Sequence, residues 1–393
     1  MKKVITGFLM AALLSVTIGS SVCYAKDNTA CSEKEILTQK ADEILSGMTL
    51  EDKIYQMFIV TPEQLAGNPI AKAPGDPYVT VVEDPVKMQL EQRPVGGLIF
   101  FASNLVSAEQ TKAMLTDYQS FAEETNGLPL FLCVDEEGGR VARIGRNEAF
   151  DVMRVPPMAA VQNEEQAFFC GTVIGAYLSD LGFNVDFAPD ADVITNSSNT
   201  VIRDRSFGSD AQIVTKYAVA YSDGLHANGV MSTFKHFPGH GSTEADTHAG
   251  YAYTNRSYEE LLQAELQPFL AAGENGVDMV MVSHIAAPAV TGNDIPASLS
   301  EKLISEILKG DLHYEGLVIT DALDMGAISV TYDSSEAVVE AVKAGVDILL
   351  MPVDLNAAYS GVYTAVISGE IPEERIDESV RKILISKMKL QED

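Results

Sequence analysis

Leu317-Val-Ile-Thr320-Asp321 decides how the rest of the chain is read: a short, near-continuous apolar run, then a carboxylate, then Ala322-Leu-Asp-Met325. A run of that kind, without polar alternation, fits a strand covered on both faces, as in a parallel sheet under helices. Seven more stand along the chain, at residues 55–60, 97–101, 130–134, 183–188, 230–234, 279–282 and 346–351. Their starts lie about 42 residues apart on average, the length of a strand–helix unit with loop insertions. Strand, helix, strand, helix predicts a parallel sheet, and eight such units predict an α/β fold of the (β/α)8 TIM-type barrel class.

The places where these runs stop carry the polar residues. The third ends at Asp135, the fourth at Asp186 and Asp190, the fifth at Lys235-His236, the sixth at Ser283-His284 and the seventh at Asp321. A doubly wound open sheet gathers its ligand at one switch point, whereas a barrel collects residues from several strand ends on its C-terminal face. A propeller is disfavoured by the intervening helices and by the absence of Trp. The spacings Thr49-Leu-Glu-Asp52, Ser107-Ala-Glu-Gln110, Ser257-Tyr-Glu-Glu260 and Ser298-Leu-Ser-Glu301 predict helix starts, and Asn228-Gly229, Gly273 and Gly345 predict stops. Residues 61–94, rich in Pro and Gly, read as a long excursion after the first strand.

At the N-terminus, Lys2-Lys3 precedes an apolar run over residues 4–16, and a small-residue site ends at Cys23-Tyr24-Ala25. That is the pattern of a secretory signal peptide, so residues 1–25 are expected to direct export to the cell envelope or beyond. Ser15, Thr17, Ser20 and Ser21 cut the run short of a membrane span. The predicted organisation is thus a signal peptide at 1–25, a lead-in segment at 26–47 and a single catalytic barrel at 48–393. A formal net charge of −29 repels a phosphate backbone and excludes nucleic acid as a natural partner. The cysteines outside that leader, Cys31, Cys133 and Cys170, show no C-x-x-C spacing; Cys133 and Cys170 fall in apolar elements and read as core thiols.

Chemistry concentrates in Lys235-His-Phe-Pro-Gly-His-Gly-Ser-Thr-Glu-Ala-Asp-Thr-His248. Pro238, Gly239 and Gly241 prevent a helix, so His236 and His240 do not form the two-histidine metal pair of a helical zinc site, and no metal or cofactor is implied. In an extended or turning loop Asp246 can hold one nitrogen of His248, leaving the other to exchange a proton near neutral pH; a surface pair without function stays open. Asp321 at the mouth of a barrel can act as a nucleophile or cap the following helix. In Asp135-Glu-Glu-Gly-Gly-Arg140-Val-Ala-Arg143 two glycines let backbone approach something closely, while an acid and two guanidinium groups face the mouth.

These motifs, with Val201-Ile-Arg-Asp-Arg-Ser-Phe-Gly208 and Val318-Ile-Thr-Asp321, resemble the β-N-acetylglucosaminidases of glycoside hydrolase family 3 from about Met48 to Lys389. The resemblance implies a retaining mechanism with Asp321 as nucleophile and His248, oriented by Asp246, as general acid/base. It also implies that Asp135, Arg143, Arg205, Lys235 and His236 hold the terminal sugar. The expected activity is exo-acting hydrolysis of terminal β-linked N-acetylglucosamine from short oligosaccharides or cell-wall muropeptides. Phosphorolysis on the same scaffold and non-catalytic sugar binding are the alternatives. One departure stands out: position 203 is Arg where the family pattern has Gly.

Overall fold

The computed structural model describes residues 32–68, 70, 78–243 and 252–392. All eight predicted strands are present: β1 (Phe58–Val60), β2 (Gly97–Ile99), β3 (Phe131–Val134), β4 (Val185–Asp186), β5 (Thr233–Phe237), β6 (Met279–Val282), β7 (Leu317–Thr320) and β8 (Leu349–Leu350). Every pairing among them is parallel. β8, β1, β2, β3 and β4 form one run of neighbours and β5, β6 and β7 another. Single parallel bridges join the two runs, Val185 with Met231 on one side and Ile319 with Ile348 on the other, which closes the barrel.

The strands are buried on both sides, as their unbroken apolar sequence requires. Phe58, Leu132, Phe234, Val280 and Val318 are each at most 1% exposed, and burial of one such side chain contributes about 1.5–3 kcal/mol. Helices Ala108–Asn126, Glu164–Leu181 and Ala211–His226 cover one side of the wall, and Ser334–Ala344 and Leu355–Ile367 cover another. The final helix, Glu373–Glu392, turns Ile376, Val380, Ile383 and Leu384 inward. The lead-in segment contributes structure of its own: Glu33–Gly47 is a helix started by the Ser32 capping box, packed against that final helix and tied to it by Arg381 and Asp42 at 2.5 Å. Among the described residues no helix is long and apolar enough to cross a membrane.

Local predictions hold where capping chemistry alone decides. Thr49, Ser107 and Ser257 each accept the amide three residues on, and Gly345 ends its helix in the left-handed region at φ 111°. Ser298 does not cap. The helix starts at Lys302, and the Ser298 hydroxyl bonds His284 Nδ1 at 2.8 Å instead. Nor does Gly273 stop a helix; it lies inside Gln267–Glu274, and the left-handed residue is Gly276. Residues 55–56, expected in the first strand, close the short helix Leu50–Gln56. The excursion after β1 contains helices Pro62–Leu65 and Asp84–Gln92; its residues 69 and 71–77 lie outside the described set.

The N-terminal face of the barrel uses its charges for cohesion. Asp347, fully buried before β8, sits among Lys309, Lys382 and Arg375. These cations overcome burial and hold its carboxyl at about 2. His226 is half-buried on that side, with Nε2 2.6 Å from Asp278 Oδ2. Both described cysteines, Cys133 and Cys170, are buried and free.

Candidate active site

The opposite rim gathers five of the residues singled out in the sequence into one chain of contacts. Lys235, inside β5 and 3% exposed at its side chain, extends its ammonium to Asp135 Oδ1 at 3.0 Å. Asp135 follows β3 and receives Arg143 Nη2 on its other oxygen at 3.2 Å. His236 stands next to Lys235, where the pairing of β5 with β6 shifts register between Lys235 and Phe237. Its Nε2 lies 3.3 Å from Arg205 Nη2, and its Nδ1 2.7 Å from Asp192 Oδ2.

The link that completes this chain, Glu137, is absent from the sequence expectations. Its carboxylate receives Arg205 Nε at 2.8 Å, Arg205 Nη2 at 2.7 Å and Lys235 Nζ at 2.6 Å, with its side chain 1% exposed. Burial disfavours its charged form, yet Arg205 and Lys235 outweigh that and hold the carboxyl well below the usual range. The same balance raises Lys235: burial opposes the ammonium, and Asp135 and Glu137 more than compensate. Asp135 is lowered because Lys235 and Arg143 outweigh its burial. The signal for Glu137 was charge balance: the two cations Lys235, on a strand, and Arg205, in a loop turn, require more than the single carboxylate of Asp135.

Glu136, also missed, shapes the loop. It is buried and accepts the backbone amides of Ile144 at 2.9 Å and Gly145 at 2.8 Å, with the Tyr177 hydroxyl at 2.8 Å. Its amide donates in turn to Asp186 Oδ1 at 2.9 Å, which accounts for the acid at the end of β4. Gly138 and Gly139 have φ 88° and 55°, and a Cβ on Gly139 would come within 2.7 Å of Pro157 Cα. The close approach that they permit is therefore to the chain's own 155–157 segment. Arg140, expected at the mouth, instead meets Asp204 at 2.9 Å and the carbonyl of Ile202 at 3.1 Å. It clamps the turn Arg203–Arg205 that presents the Arg205 guanidinium. Within that turn Arg203, where the family pattern has Gly, sits at φ 47°, a left-handed conformation that glycine adopts without steric cost.

Asp321 closes β7 and is partly exposed. Its Oδ1 accepts the Ala322 amide at 2.8 Å, and it is near enough to His236 for its charge to act on that ring. Burial, reinforced by Arg205, lowers His236 to about 4, so the imidazole is neutral at physiological pH. Ser283 and His284 serve the wall: Ser283 Oγ donates to the Phe237 carbonyl at 2.9 Å, and His284 bridges Ser298 and the Ala322 carbonyl. Asp246 and His248 lie outside the described residues. The chain on either side is joined by Ser242 Oγ donating to Thr254 Oγ1 at 3.0 Å.

Among the described residues Asp190, Asp192 and His236 bring three donor atoms within 4.8 Å of one another. His236 Nδ1 is engaged with Asp192 at 2.7 Å, and Arg205 Nε stands 3.3 Å from Asp190 Oδ2. The guanidinium supplies the positive charge in that space, and we read the trio as part of the arginine-centred network.

Residues 49–385 match the family described as Glycosyl hydrolase family 3 N terminal domain. Beta-hexosaminidase A of Pseudoalteromonas piscicida is 35% identical over 322 residues, 75% of this chain and 54% of that protein, so the chain spans about half of that relative's length. A Beta-hexosaminidase of Hydrogenovibrio crunogenus is 35% identical over 288 residues, 71% of this chain and 78% of its own length. The solved glycoside hydrolase family 3 beta-N-acetylglucosaminidase of Paenibacillus sp. superposes with a TM-score of 0.80 at 35% identity, covering 88% of this chain and 63% of that one. With a closed eight-stranded parallel barrel and the polar network at its C-terminal rim, the chain belongs to glycosyl hydrolase family 3.

Proposed function

We propose that the chain is an exo-acting, retaining β-N-acetylhexosaminidase that removes terminal non-reducing β-linked N-acetylglucosamine from short oligosaccharides or cell-wall muropeptides. One observation carries this reading: the buried network Asp135–Lys235–Glu137–Arg205–His236 offers a dense, fixed set of donors and acceptors to a polar ligand beside the Asp321 carboxylate. Such a set suits the hydroxyl groups of one sugar ring better than an extended apolar ligand. The beta-hexosaminidase relatives support the same substrate class.

In this reading Asp135, Arg143, Arg205, Lys235 and His236 fix the terminal sugar so that its anomeric carbon faces Asp321. Asp321 attacks that carbon while the bond to the leaving oxygen breaks, and His248 donates a proton to the departing oxygen. Water then attacks the glycosyl–Asp321 ester, gives its proton to His248 and frees the carboxylate. Asp246 orients His248. The absence of Trp supports a short pocket for single sugars over a long aromatic platform. The leader pattern at residues 1–25 supports export, which makes cell-wall fragments the natural source.

The roles are tested by two variants. Asp321→Asn is expected to abolish turnover of every glycoside. His248→Ala is expected to slow natural disaccharides by about 10² to 10⁴, with a smaller loss on aryl glycosides whose leaving groups need little protonation. Full activity of Asp321→Asn, or equal losses on both substrate types in His248→Ala, contradicts the assignment.

A further inference from the structure

Beneath the sugar-binding cations lies a carboxylate that the hydrogen bonds do not explain as an anion. Asp190 and Asp192 are both 0% exposed. Asp192 accepts His236 Nδ1 at 2.7 Å on one oxygen and the His240 amide at 2.5 Å on the other. Asp190 Oδ1 accepts the Asp192 amide at 3.0 Å, but its Oδ2 has no hydrogen-bond partner. Arg205 Nε stands 3.3 Å from that oxygen, yet its single N–H is directed at Glu137 Oε2 at 2.8 Å. Each of the two aspartates places a carboxylate oxygen within 4.8 Å of one from the other. Two buried carboxyl groups this close resist ionising together, and a proton between them turns the orphaned oxygen into a donor. Asp192, already holding two N–H groups, is the ionised member.

We propose that Asp190 is a positioning residue of the terminal-sugar pocket: protonated, it donates to Asp192, and so holds Asp192 on His236 and leaves Arg205 to Glu137 and the substrate. This rests on the reading of the pocket given above. The groups around Asp190 are Asp192, Arg205, His236 and Glu137, with His240 on the far side of Asp192 and Asp321 beyond His236. Lys235 lies across a backbone bridge, engaged with Asp135 and Glu137. Burial and the Asp192 charge raise Asp190 to about 7, against the opposing pull of Arg205. Above that pH the pair carries two charges, Asp190 competes with Glu137 for Arg205, and the sugar-binding arrangement is lost. The shared proton belongs to the pair, so the two residues titrate as a unit.

The test measures N-acetylglucosamine binding by calorimetry between pH 5.5 and 8.5 in the wild-type chain and in Asp190→Asn, which keeps the shape and a permanent donor. If only the protonated pair binds sugar, wild-type affinity falls by about tenfold per pH unit above 7, and in Asp190→Asn that dependence disappears whatever its affinity at pH 6. The same pH dependence in both proteins overturns the proposal. So does the absence of proton uptake when the wild-type chain binds sugar at pH 8, a measurement that needs no variant. A second arm needs no ligand. Because the folded value lies above the unfolded one of 3.8, this stabilisation is full below the unfolded value and is lost as pH rises through about 7. Urea unfolding from pH 5 to 8.5 is therefore expected to show a decline in the wild-type chain that Asp190→Asn lacks. If neither protein binds N-acetylglucosamine while that difference in decline is present, the substrate reading fails and the proton assignment stands. If binding is normal and the difference is missing, the proposal is wrong.

Discussion

Glu137→Gln is the substitution that loads the site most heavily while changing its shape least. The wild-type carboxylate accepts three charge-assisted hydrogen bonds, at 2.8, 2.7 and 2.6 Å, from Arg205 and Lys235. A glutamine keeps one carbonyl acceptor and turns an NH2 group, itself a donor, toward a cation. Side chains 1%, 3% and 12% exposed leave little room for water to substitute. Breaking a buried ion pair on one side costs about 3–5 kcal/mol, a large part of a total stability of about 5–15 kcal/mol. The chain has no Trp, so urea unfolding is followed by far-ultraviolet circular dichroism, with Glu340→Gln as control. Glu340 pairs with Lys343 at 2.8 Å on the surface, where such a pair contributes about 0–1 kcal/mol. The folded carboxyl of Glu137 lies below its usual 4.5, so its contribution is full above that pH and is lost as pH falls through the folded value. Wild type and variant should therefore converge in acid. Displaced cations should also lower kcat/KM by about 10²-fold, the scale of a 1 Å misplacement. A stability loss no larger than that of Glu340→Gln refutes the reasoning.

Two further outcomes follow from the fold. Lys387, 1% exposed, donates to Gln56 Oε1 at 2.7 Å and lies 5.3 Å from the Phe131 ring centre, and burial lowers it to about 7. The folded chain then holds fewer protons than the unfolded one between pH 7 and the model-peptide value of 10.5, so the stability of wild type relative to Lys387→Met should rise across that window; a difference in urea midpoints that is constant with pH contradicts this. A Cβ on Gly241 would lie 2.0 Å from the Val193 carbonyl oxygen, whereas one on Gly47 meets nothing within 4 Å. Gly241→Ala should lose more than about 2 kcal/mol and Gly47→Ala stay within about 0.5 kcal/mol. Equal thermal midpoints for the two variants would remove the steric argument.

The barrel was legible in the sequence because its strands are buried on both faces and so appear as uninterrupted apolar runs, and all eight positions hold a strand. Their ends were less legible. Residues 183–188 read as one strand, yet only Val185–Asp186 pair as a ladder; beyond them the chain keeps separate contacts with β5, the Thr233 amide on the Ala188 carbonyl at 2.8 Å and a bridge between Asp190 and Lys235, which carry Asp190 to the rim. Ser298 misled because a cap spacing in sequence does not reveal a competing partner such as His284 Nδ1. In the site, the residues read from strand ends and from the family resemblance, Asp135, Arg143, Arg205, Lys235 and His236, come together. Glu137 was hidden because its partners are distant in sequence: it meets Arg205 68 residues away, and its role appears only when the barrel closes. Arg140 was misassigned for the complementary reason, since spacing places it near the mouth but its reach to Asp204 depends on the path of another loop.

The most direct test of the central claim is kcat/KM of the purified chain on 4-nitrophenyl β-N-acetylglucosaminide and the matching β-glucoside, each with and without phosphate, with the released sugar identified. Strong preference for the N-acetyl sugar, with free N-acetylglucosamine as product whether or not phosphate is present, is the predicted result. Sugar phosphate formed only when phosphate is added, or no cleavage of either glycoside, contradicts it.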